Sequence, residues 1–461
     1  MQKSQDGTEL LRSAPVKSAL LKLGTPTLIG MSVSALYNVV DAFFVGQLGG
    51  SQMAAVSLFA PIATAMLGLA LLFGGGAASY ISRLLGAGKR GEANECASTS
   101  LATSMAVTVL LLAGFVAFAE PLLRALGATD TMMPYAAAYA VPFFIAMTFY
   151  AFNGTINNLI VSEGATTVSM VAMLLGGISN IVLDPIMIFA LGWGVAGAAV
   201  ATLAGTLLTT CVYLSYFLRS KSSLALSPRN IKPTAEMYAQ VLKIGVPNLT
   251  YQLLVSVALW LTNVFAAAYG DAAVAALGIV ARIMNLASMV AFGFVKGYQP
   301  FTGFNYGARR FDRVREATKT ACIWETAFAC ITAMLLIVFA ESLLSAFSQG
   351  DASIVSIGAT ALFWNALSFA TFGVQAVYSA FFLALGKAKQ GALIAIGRQG
   401  IFFIPALLIG SWAFGLPGII AAQPIGDLLS FLLVLVLVAK SKGALSDSEM
   451  ANAEHAETSA W

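Results

Sequence analysis

Twelve apolar stretches constrain this chain more than any other feature, because each is at least as long as the roughly 20 residues that a helix needs to cross a bilayer. Only 10% of its 461 residues are charged, against about 25% in soluble domains. The sequence therefore predicts an all-α polytopic membrane protein with twelve transmembrane helices. The stretches lie at about 24–47, 57–82, 97–118, 134–160, 167–190, 195–218, 245–268, 273–300, 317–340, 354–386, 391–412 and 416–439.

The distribution of Lys and Arg predicts the orientation, since basic residues in short loops stay on the cytoplasmic side. They precede the first stretch and follow the even-numbered ones, whereas the opposite loops hold Arg124 alone. We therefore expect an integral protein of the plasma membrane, the inner membrane in a bacterium, with both termini in the cytoplasm. The first 14 residues are mostly polar, and no cleavable signal peptide is expected. The net charge of +4 reflects this topology and does not indicate a nucleic-acid partner.

Enzyme chemistry is not indicated. The four cysteines show no paired spacing typical of a metal or disulfide site. The single histidine, His455, lies in a polar tail at 440–461 that we expect to be disordered. No nucleotide loop or nucleophile–base pair is visible. We expect neither catalysis nor a cofactor, apart from a coupling ion.

An internal repeat divides the chain. The motif "LKLGTP" ending at Pro26 returns as "LKIGVP" ending at Pro247, an offset of 221 (247 − 26). The same offset relates "GAGKRGEANE" to "GARRFDRVRE" and "WGVAGAAVAT" to "FGLPGIIAAQ". We predict an amino lobe at 24–218, a linker at 219–240 and a carboxy lobe at 241–439, with cytoplasmic segments at 1–23 and 440–461. Transporters built from such parallel repeats hold their substrate between the halves.

Two membrane aspartates break the symmetry of the repeat. Asp41 corresponds to Thr262, and Asp184 to Pro405 or, with a one-residue gap, to Ile404. Each acid lies about seventeen residues into an apolar stretch that starts in the cytoplasm, so the two should share a depth. A charged group within a bilayer is costly and usually functional. We therefore expect Asp41 and Asp184 to form one site.

Polar residues at helical spacing extend this site. Tyr37 and Asn180 each precede an acid by four residues and share its helix face. Carboxylate, amide and hydroxyl oxygens suit a proton or a hard cation such as Na⁺, but isolated Asn and Thr also join membrane helices, and both interpretations stay open for Asn153 and Thr202. The predicted coupling residues are Asp41, Asp184, Asn180, Tyr37, Thr202 and Asn157, with Asp41, Asn180, Asp184 and Thr202 as the Na⁺ ligands.

Other candidates are more diffuse. Charged residues of the second half favour structural charge balance, with Lys296 at the cytoplasmic opening, and their pairing stays open. These are Arg282, Lys296, Glu325, Arg398 and Asp427. Aromatic and methionine side chains suit a cavity for amphipathic cations, although such residues pack in cores or face lipid as often. The cavity candidates are Met147, Tyr150, Asn153, Gln252 and Met284.

The segments "PTLIGMSVSALYNVVDAFFVGQLG", "NIVLDPIMIFALGWGVAGAAVAT" and "GYQPFTGFNYGARR" resemble signatures of the MATE multidrug and toxin extrusion exporters, most closely the DinF/MepA-like branch. The resemblance covers nearly the whole chain. It implies two six-helix lobes in a V, export of amphipathic and often cationic drugs in exchange for H⁺ or Na⁺, functional acids at Asp41 and Asp184, and a first helix that bends at Pro26. The NorM-like branch uses acids in the seventh and tenth spans, and those spans contain none here.

The resemblance leads us to expect a monomer in the bilayer that exports small-molecule drugs and organic cations by H⁺ antiport and alternating access. Na⁺ coupling, alone or together with H⁺, is the first alternative. A lipid-linked saccharide flippase is a more distant one, since a pyrophosphate needs a cationic cavity and the predicted site is acidic. A channel would conduct ions without exchange. The sequence leaves open the drugs, the coupling ion and whether the two acids act singly or as a pair.

Overall fold

The computed structural model describes residues 5–219, 221–348 and 351–441, and every regular element in these ranges is helical. The predicted all-α architecture is confirmed, with twelve helices that are long and apolar enough to cross a membrane. The predicted disorder at 442–461, with His455, falls outside the described residues. Spans 1 to 12 are Val16–Gly46, Gly50–Gly86, Arg90–Ala117, Met133–Ser162, Thr166–Ala190, Gly194–Leu218, Ala235–Ala267, Asp271–Gly307, Phe311–Val338, Ala352–Phe369, Ala388–Phe414 and Leu416–Lys440.

Several spans are irregular. Span 2 is interrupted between Gly50–Ser57 and Ala60–Ala70, and span 10 is interrupted at residues 370–371 before it resumes as Phe372–Ala384. Three spans contain a π-helical turn, and such turns are frequent at functional sites. The π turns are Leu71–Gly75 in span 2, Ile186–Ala190 in span 5 and Gly397–Phe402 in span 11. Short helices also form at Gln5–Arg12, Ala119–Ala125, Pro228–Asn230 and Ala340–Ser348.

Many helices extend past the predicted apolar stretches at the end of the bundle that carries the linker, which we call the linker end. Span 7 begins at Ala235 and span 9 at Phe311, against predicted starts near 245 and 317. Polar helical turns keep their backbone hydrogen bonds outside a bilayer, so hydropathy detects only the apolar part of each helix. The carboxyl end of the predicted linker is therefore the first turn of span 7.

The repeat is visible in the backbone at the turns that follow spans 2 and 8. Gly88 has φ 79°, and its repeat equivalent Arg309 has φ 57°, the only positive φ of a non-glycine among the described residues. Left-handed conformations normally favour glycine. Here the second half keeps the turn geometry although it has lost the glycine.

The two lobes share one core at the linker end. Leu23 of span 1 and Ile81 of span 2 pack in one apolar cluster with Phe294 and Phe301 of span 8. Backbones also approach closely between the lobes: a Cβ on Gly297 would lie 2.6 Å from Leu23 O, and a Cβ on Gly245 would lie 1.9 Å from Leu72 O. Such small-residue contacts hold membrane helices together. The linker end of the molecule is therefore closed.

Candidate ion-coupling site

The structure brings the two membrane carboxylates together. Asp184 is fully buried and Asp41 is partly buried, and the two carboxyl groups are close enough to interact electrostatically. Asn180 donates from Nδ2 to Asp184 Oδ1 at 3.4 Å and to Thr202 Oγ1 at 3.4 Å. Asp41, Asn180, Asp184 and Thr202 thus form one group across spans 1, 5 and 6, which we call the aspartate cluster.

Three acceptor oxygens of the aspartate cluster have no hydrogen-bond partner within the described ranges. They are Asp41 Oδ1, Asn180 Oδ1 and Asp184 Oδ2. No Lys or Arg among the described residues acts on either carboxylate. A buried acceptor left without a donor costs about 1–3 kcal/mol, and two adjacent carboxylates repel each other when both are ionised. The cluster is therefore suited chemically to take up a proton or a small cation.

Glycines of spans 5 and 6 allow these two helices to approach each other. A Cβ on Gly176 would lie 2.1 Å from Thr209 Oγ1, and a Cβ on Gly205 would lie 2.8 Å from Gly176 O. Spans 5 and 6 therefore touch through their backbones. Asn180 lies one turn beyond Gly176, so this contact brings its amide to Thr202.

Asp184 also stands where the helix changes its hydrogen-bonding pattern. The α-helical part of span 5 ends at Pro185, and the π turn Ile186–Ala190 follows directly. Proline has no N–H to donate within a helix, and π turns often mark functional positions. The carboxylate is thus held at an irregular point of the helix.

Tyrosines surround the aspartate cluster. Tyr37 packs against Gly177, whose Cβ would lie 3.4 Å from the ring, and it is close to both Asp41 and Tyr150. Tyr139 of span 4 is buried and close enough to sense the charge of both acids. Tyr139 was not predicted from the sequence, because nothing there distinguishes it from other aromatic residues of span 4.

A family model described as MatE matches residues 26–186 and 247–408. The chain belongs to the MatE family. The two matched segments begin 221 residues apart (247 − 26), which is the offset of the repeat. As a MatE protein the chain is a membrane transporter and not an enzyme, as predicted.

Relatives and solved structures agree with this assignment. The multidrug export protein MepA of Staphylococcus saprophyticus subsp. saprophyticus is 28% identical over 426 residues, covering 92% of this chain and 93% of that protein. A multidrug resistance MATE family transporter of the MOP superfamily, in an outward-facing conformation, is 28% identical with a TM-score of 0.90 over 95% of this chain and 98% of its own. A MATE protein in complex with MaL6 has the same identity and TM-score, over 95% and 99%.

The structure gives Pro26 of this MatE protein a defined environment. A proline in a helix leaves the carbonyl four residues earlier without its usual donor. That carbonyl belongs to Lys22, and it accepts a hydrogen bond from Thr166 Oγ1 of span 5 at 3.3 Å. Nearby, a Cβ on Gly24 would lie 2.5 Å from the Phe294 ring of span 8. Any bend of span 1 at Pro26 would therefore act on both lobes.

Asn157 does not lie with the aspartate cluster. Its Nδ2 donates to Ser169 Oγ and Tyr213 Oη, both at 2.6 Å, and its Oδ1 accepts from Lys296 Nζ of span 8 at 2.5 Å. Five residues separate Asn157 from the linker end of span 4, and eighteen separate Asp184 from that end of span 5, about 20 Å apart in depth. Asn157 and Lys296 thus form a polar contact between the lobes.

In the second half of the chain, the buried acid Asp427 forms an ion pair with Arg398. Asp427 accepts from Arg398 Nε at 2.7 Å, from Gln423 Nε2 at 2.8 Å and from Ser368 Oγ at 2.9 Å. The Arg398 guanidinium also lies 4.5 Å from the centroid of the Phe372 ring. The pairing that the sequence left open is therefore Arg398 with Asp427, whereas Arg282 is exposed.

The cavity candidates have mixed surroundings. Asn153 donates to Thr206 O and accepts from Thr210 Oγ1, both at 2.8 Å, which joins span 4 to span 6. Met147 is buried in the apolar core of the first lobe. Gln252 and Met284 are half-buried in spans 7 and 8. Asn153 therefore connects helices, and Tyr150, beside Tyr37, is the candidate that lies next to the aspartate cluster.

Proposed function

We propose that this MatE protein is a secondary active multidrug exporter that expels amphipathic, often cationic drugs in exchange for inward H⁺ by alternating access. The aspartate cluster is the coupling site. The observation that supports this proposal most directly is the proximity of Asp41 and Asp184, which have oxygens without a hydrogen-bond partner and no cation beside them among the described residues. The substrate class follows the name of the relatives, which are multidrug export proteins.

Exchange follows from competition for one negative charge. When a carboxylate of the pair is ionised, it attracts a cationic drug towards the first lobe. A proton arriving from outside neutralises that charge, removes the repulsion between Asp41 and Asp184 and weakens the hold on the drug. Drug and proton therefore exclude each other, which is the condition for antiport.

The driving force is sufficient for resistance with a single ion. One charge that moves inward across 100 mV contributes about 2.3 kcal/mol. Since about 1.4 kcal/mol corresponds to a tenfold concentration ratio, one such charge supports a gradient of roughly fortyfold for an uncharged drug. A monovalent cationic drug that leaves in exchange for one H⁺ moves no net charge, and its export is driven by the pH difference instead.

The closed linker end supports an assignment of the two sides. Basic residues concentrate at this end, and the positive-inside rule would place it in the cytoplasm of a plasma membrane. Release to the outside would then occur at the opposite end, and loading would require the glycine contacts between spans 1 and 8 to separate.

The test is drug efflux from proteoliposomes driven by a pH gradient alone. Asp41→Asn and Asp184→Asn should each reduce drug efflux to the level of vesicles without protein, because neither amide can exchange a proton. The matched control is Thr262→Asn, which places the same amide at the repeat equivalent of Asp41 and should transport as wild type. Wild-type transport by Asp41→Asn would refute the proposal.

Na⁺ is the second candidate for the coupling ion. The three partnerless oxygens and the Thr202 hydroxyl offer the oxygen donors that hard cations prefer. A Na⁺ gradient imposed without a pH gradient separates the two ions. Efflux under Na⁺ alone, lost in Thr202→Val, would favour Na⁺; efflux under the pH gradient alone favours H⁺.

A further inference from the structure

A second unpaired acid lies in the other lobe. Glu325 of span 9 is buried, with 3% of its surface exposed, and its Oε2 has no hydrogen-bond partner among the described residues. The sequence places it fourteen residues into a helix that starts at Phe311 at the linker end, about 21 Å along the axis. It is therefore deep in the carboxy lobe and far from either aqueous face.

No countercharge reaches this carboxyl group. Arg398 is occupied by Asp427, and no charged residue within the described ranges acts on Glu325. Its titratable neighbour is the Cys322 thiol on the same helix face. Near that thiol lie Tyr298 of span 8 and Tyr378 of the second part of span 10.

A buried carboxylate without a partner is strongly disfavoured in its charged form, and such a group stays neutral by holding a proton. We propose that Glu325 is a second proton-binding site of the transport cycle, located in the carboxy lobe and protonated in this closed-linker conformation. The inference rests on the proposed antiport and deepens it: each drug would leave in exchange for two protons, one at the aspartate cluster and one at Glu325.

Polar side chains supply a route from Glu325 towards the linker end. Thr318, Cys322 and Glu325 are spaced i, i+4 and i+7 and share one face of span 9. The hydroxyls of Tyr298 and Thr318 hydrogen-bond at 2.8 Å, and Thr302 Oγ1 one turn further along span 8 is buried without a partner. When the lobes separate at the linker end, these polar side chains would connect Glu325 with the cytoplasmic side and allow its proton to leave there.

The backbone around Glu325 is also discontinuous. Span 10 breaks at residues 370–371, and Gly373, just after the break, packs so closely that a Cβ there would lie 2.6 Å from Glu325 O. Broken helices in transporters commonly flank the coupling sites. Movement of span 10 at the break would therefore change access to Glu325 directly.

The stoichiometry of exchange tests the inference. Proteoliposomes are held at zero membrane potential with a pH difference of one unit, and the limiting ratio of drug concentrations across the membrane is measured. Two protons per drug support a ratio of about 100, and one proton supports about 10, because each proton contributes one tenfold factor. Wild type should reach about 100, and Glu325→Gln, an isosteric mimic of the protonated acid, about 10.

The control is Glu316→Gln, which removes an exposed acid from the same helix and should keep the wild-type ratio. Equal ratios in wild type and Glu325→Gln would overturn the role of Glu325 while leaving single-proton antiport intact. If the limiting ratio of drug concentrations in wild type did not depend on the pH difference, the proposed H⁺ antiport would be overturned, and the second proton site with it. Circular dichroism and gel filtration of Glu325→Gln check that it folds.

Discussion

The two lobes bury acids equally well and surround them differently. Asp184 and Asp427 are exposed to 0% and 1%. Asp427 has the guanidinium of Arg398 at 2.7 Å, whereas Asp184 has the neutral amide of Asn180 and another acid, Asp41, beside it and no cation among the described residues. The repeat equivalents Thr202 and Gln423 take part in both networks, since Thr202 accepts from Asn180 and Gln423 donates to Asp427.

This difference separates a structural acid from an exchangeable one. A buried ion pair whose bonds are all made is expensive to break, so Asp427 is held in one state. The aspartate cluster has a repulsive pair and unfilled acceptor positions, so its free energy depends on whether a proton or cation is present. Burial alone does not distinguish a structural acid from an exchangeable one. The groups that surround each carboxylate do.

The largest expected effect compares Asp427→Asn with Asp184→Asn. Asp427→Asn leaves the Arg398 guanidinium buried without its counterion, which should cost about 3–5 kcal/mol of stability. Asp184→Asn removes a repulsive charge, so its stability should equal or exceed that of wild type while transport is lost. Denaturant unfolding in detergent, followed by circular dichroism, measures both.

A double variant provides the control for that comparison. Arg398→Met with Asp427→Leu removes both charges and should recover most of the stability lost in Asp427→Asn, since apolar replacements of buried pairs are often neutral. Equal destabilisation by Asp184→Asn and Asp427→Asn would mean that the two lobes do not differ as described.

A smaller effect is expected from the glycine contact beside the aspartate cluster. Gly176→Ala pushes a Cβ to 2.1 Å from Thr209 Oγ1, and overpacking of this kind costs about 1–3 kcal/mol. Because Gly176 sets the distance between Asn180 and Thr202, drug transport should fall further than the amount of folded protein does.

Gly418→Ala is the matched substitution in the second lobe, where a Cβ would lie 1.9 Å from Gly410 O. It should destabilise the protein at least as much, because its Cβ meets backbone atoms, but leave transport per folded molecule unchanged. Transport assays normalised to the folded fraction from gel filtration distinguish the two variants. The same loss per folded molecule in both would show that the contact at Gly176 has no special role in coupling.

The architecture was predictable because membrane helices are defined by length and apolar character. Hydropathy therefore placed all twelve spans, but it could not place the π turns or the break at 370–371, which depend on backbone hydrogen bonding rather than composition. The polar first turns of spans 7 and 9 were missed for the same reason.

The candidate site was predictable where one physical cost dominates. Asp41 and Asp184 stand out because charged residues are rare in a bilayer, and their similar predicted depth indicated that they share one site. Asn157 was grouped with them although its position near the end of span 4 implies a different depth, and the structure separates it by about 20 Å. The pairing of Arg398 with Asp427 and the approach of Tyr139 depend on tertiary packing, which no periodicity encodes.

The smallest effect concerns a third kind of buried acid, Glu163 at the linker end of span 4. It has no cationic partner among the described residues but accepts hydrogen bonds from Tyr216 Oη at 2.9 Å, from the Ser223 backbone N at 2.6 Å and from Leu224 N at 3.2 Å. It therefore anchors the start of the linker on the amino lobe. Glu163 was not predicted from the sequence, because it is a single acid in a short turn.

Burial raises the pKa of the Glu163 carboxyl, and the hydrogen bonds from Ser223, Ser222 and Tyr216 offset this only in part. A raised pKa in the folded state means that the folded protein holds the proton more tightly, so the contribution to stability is complete below the unfolded pKa of about 4.3 and is lost as pH rises through the folded value. The stability of wild type relative to Glu163→Gln should therefore decline, by less than about 1 kcal/mol, as unfolding is measured from pH 4 to pH 7. A relative stability that increases with pH would contradict this and would mean that the donors fully stabilise the ionised carboxylate, as Arg398 does for Asp427. Transport by Glu163→Gln should stay near wild type in either case, because the aspartate cluster is unchanged.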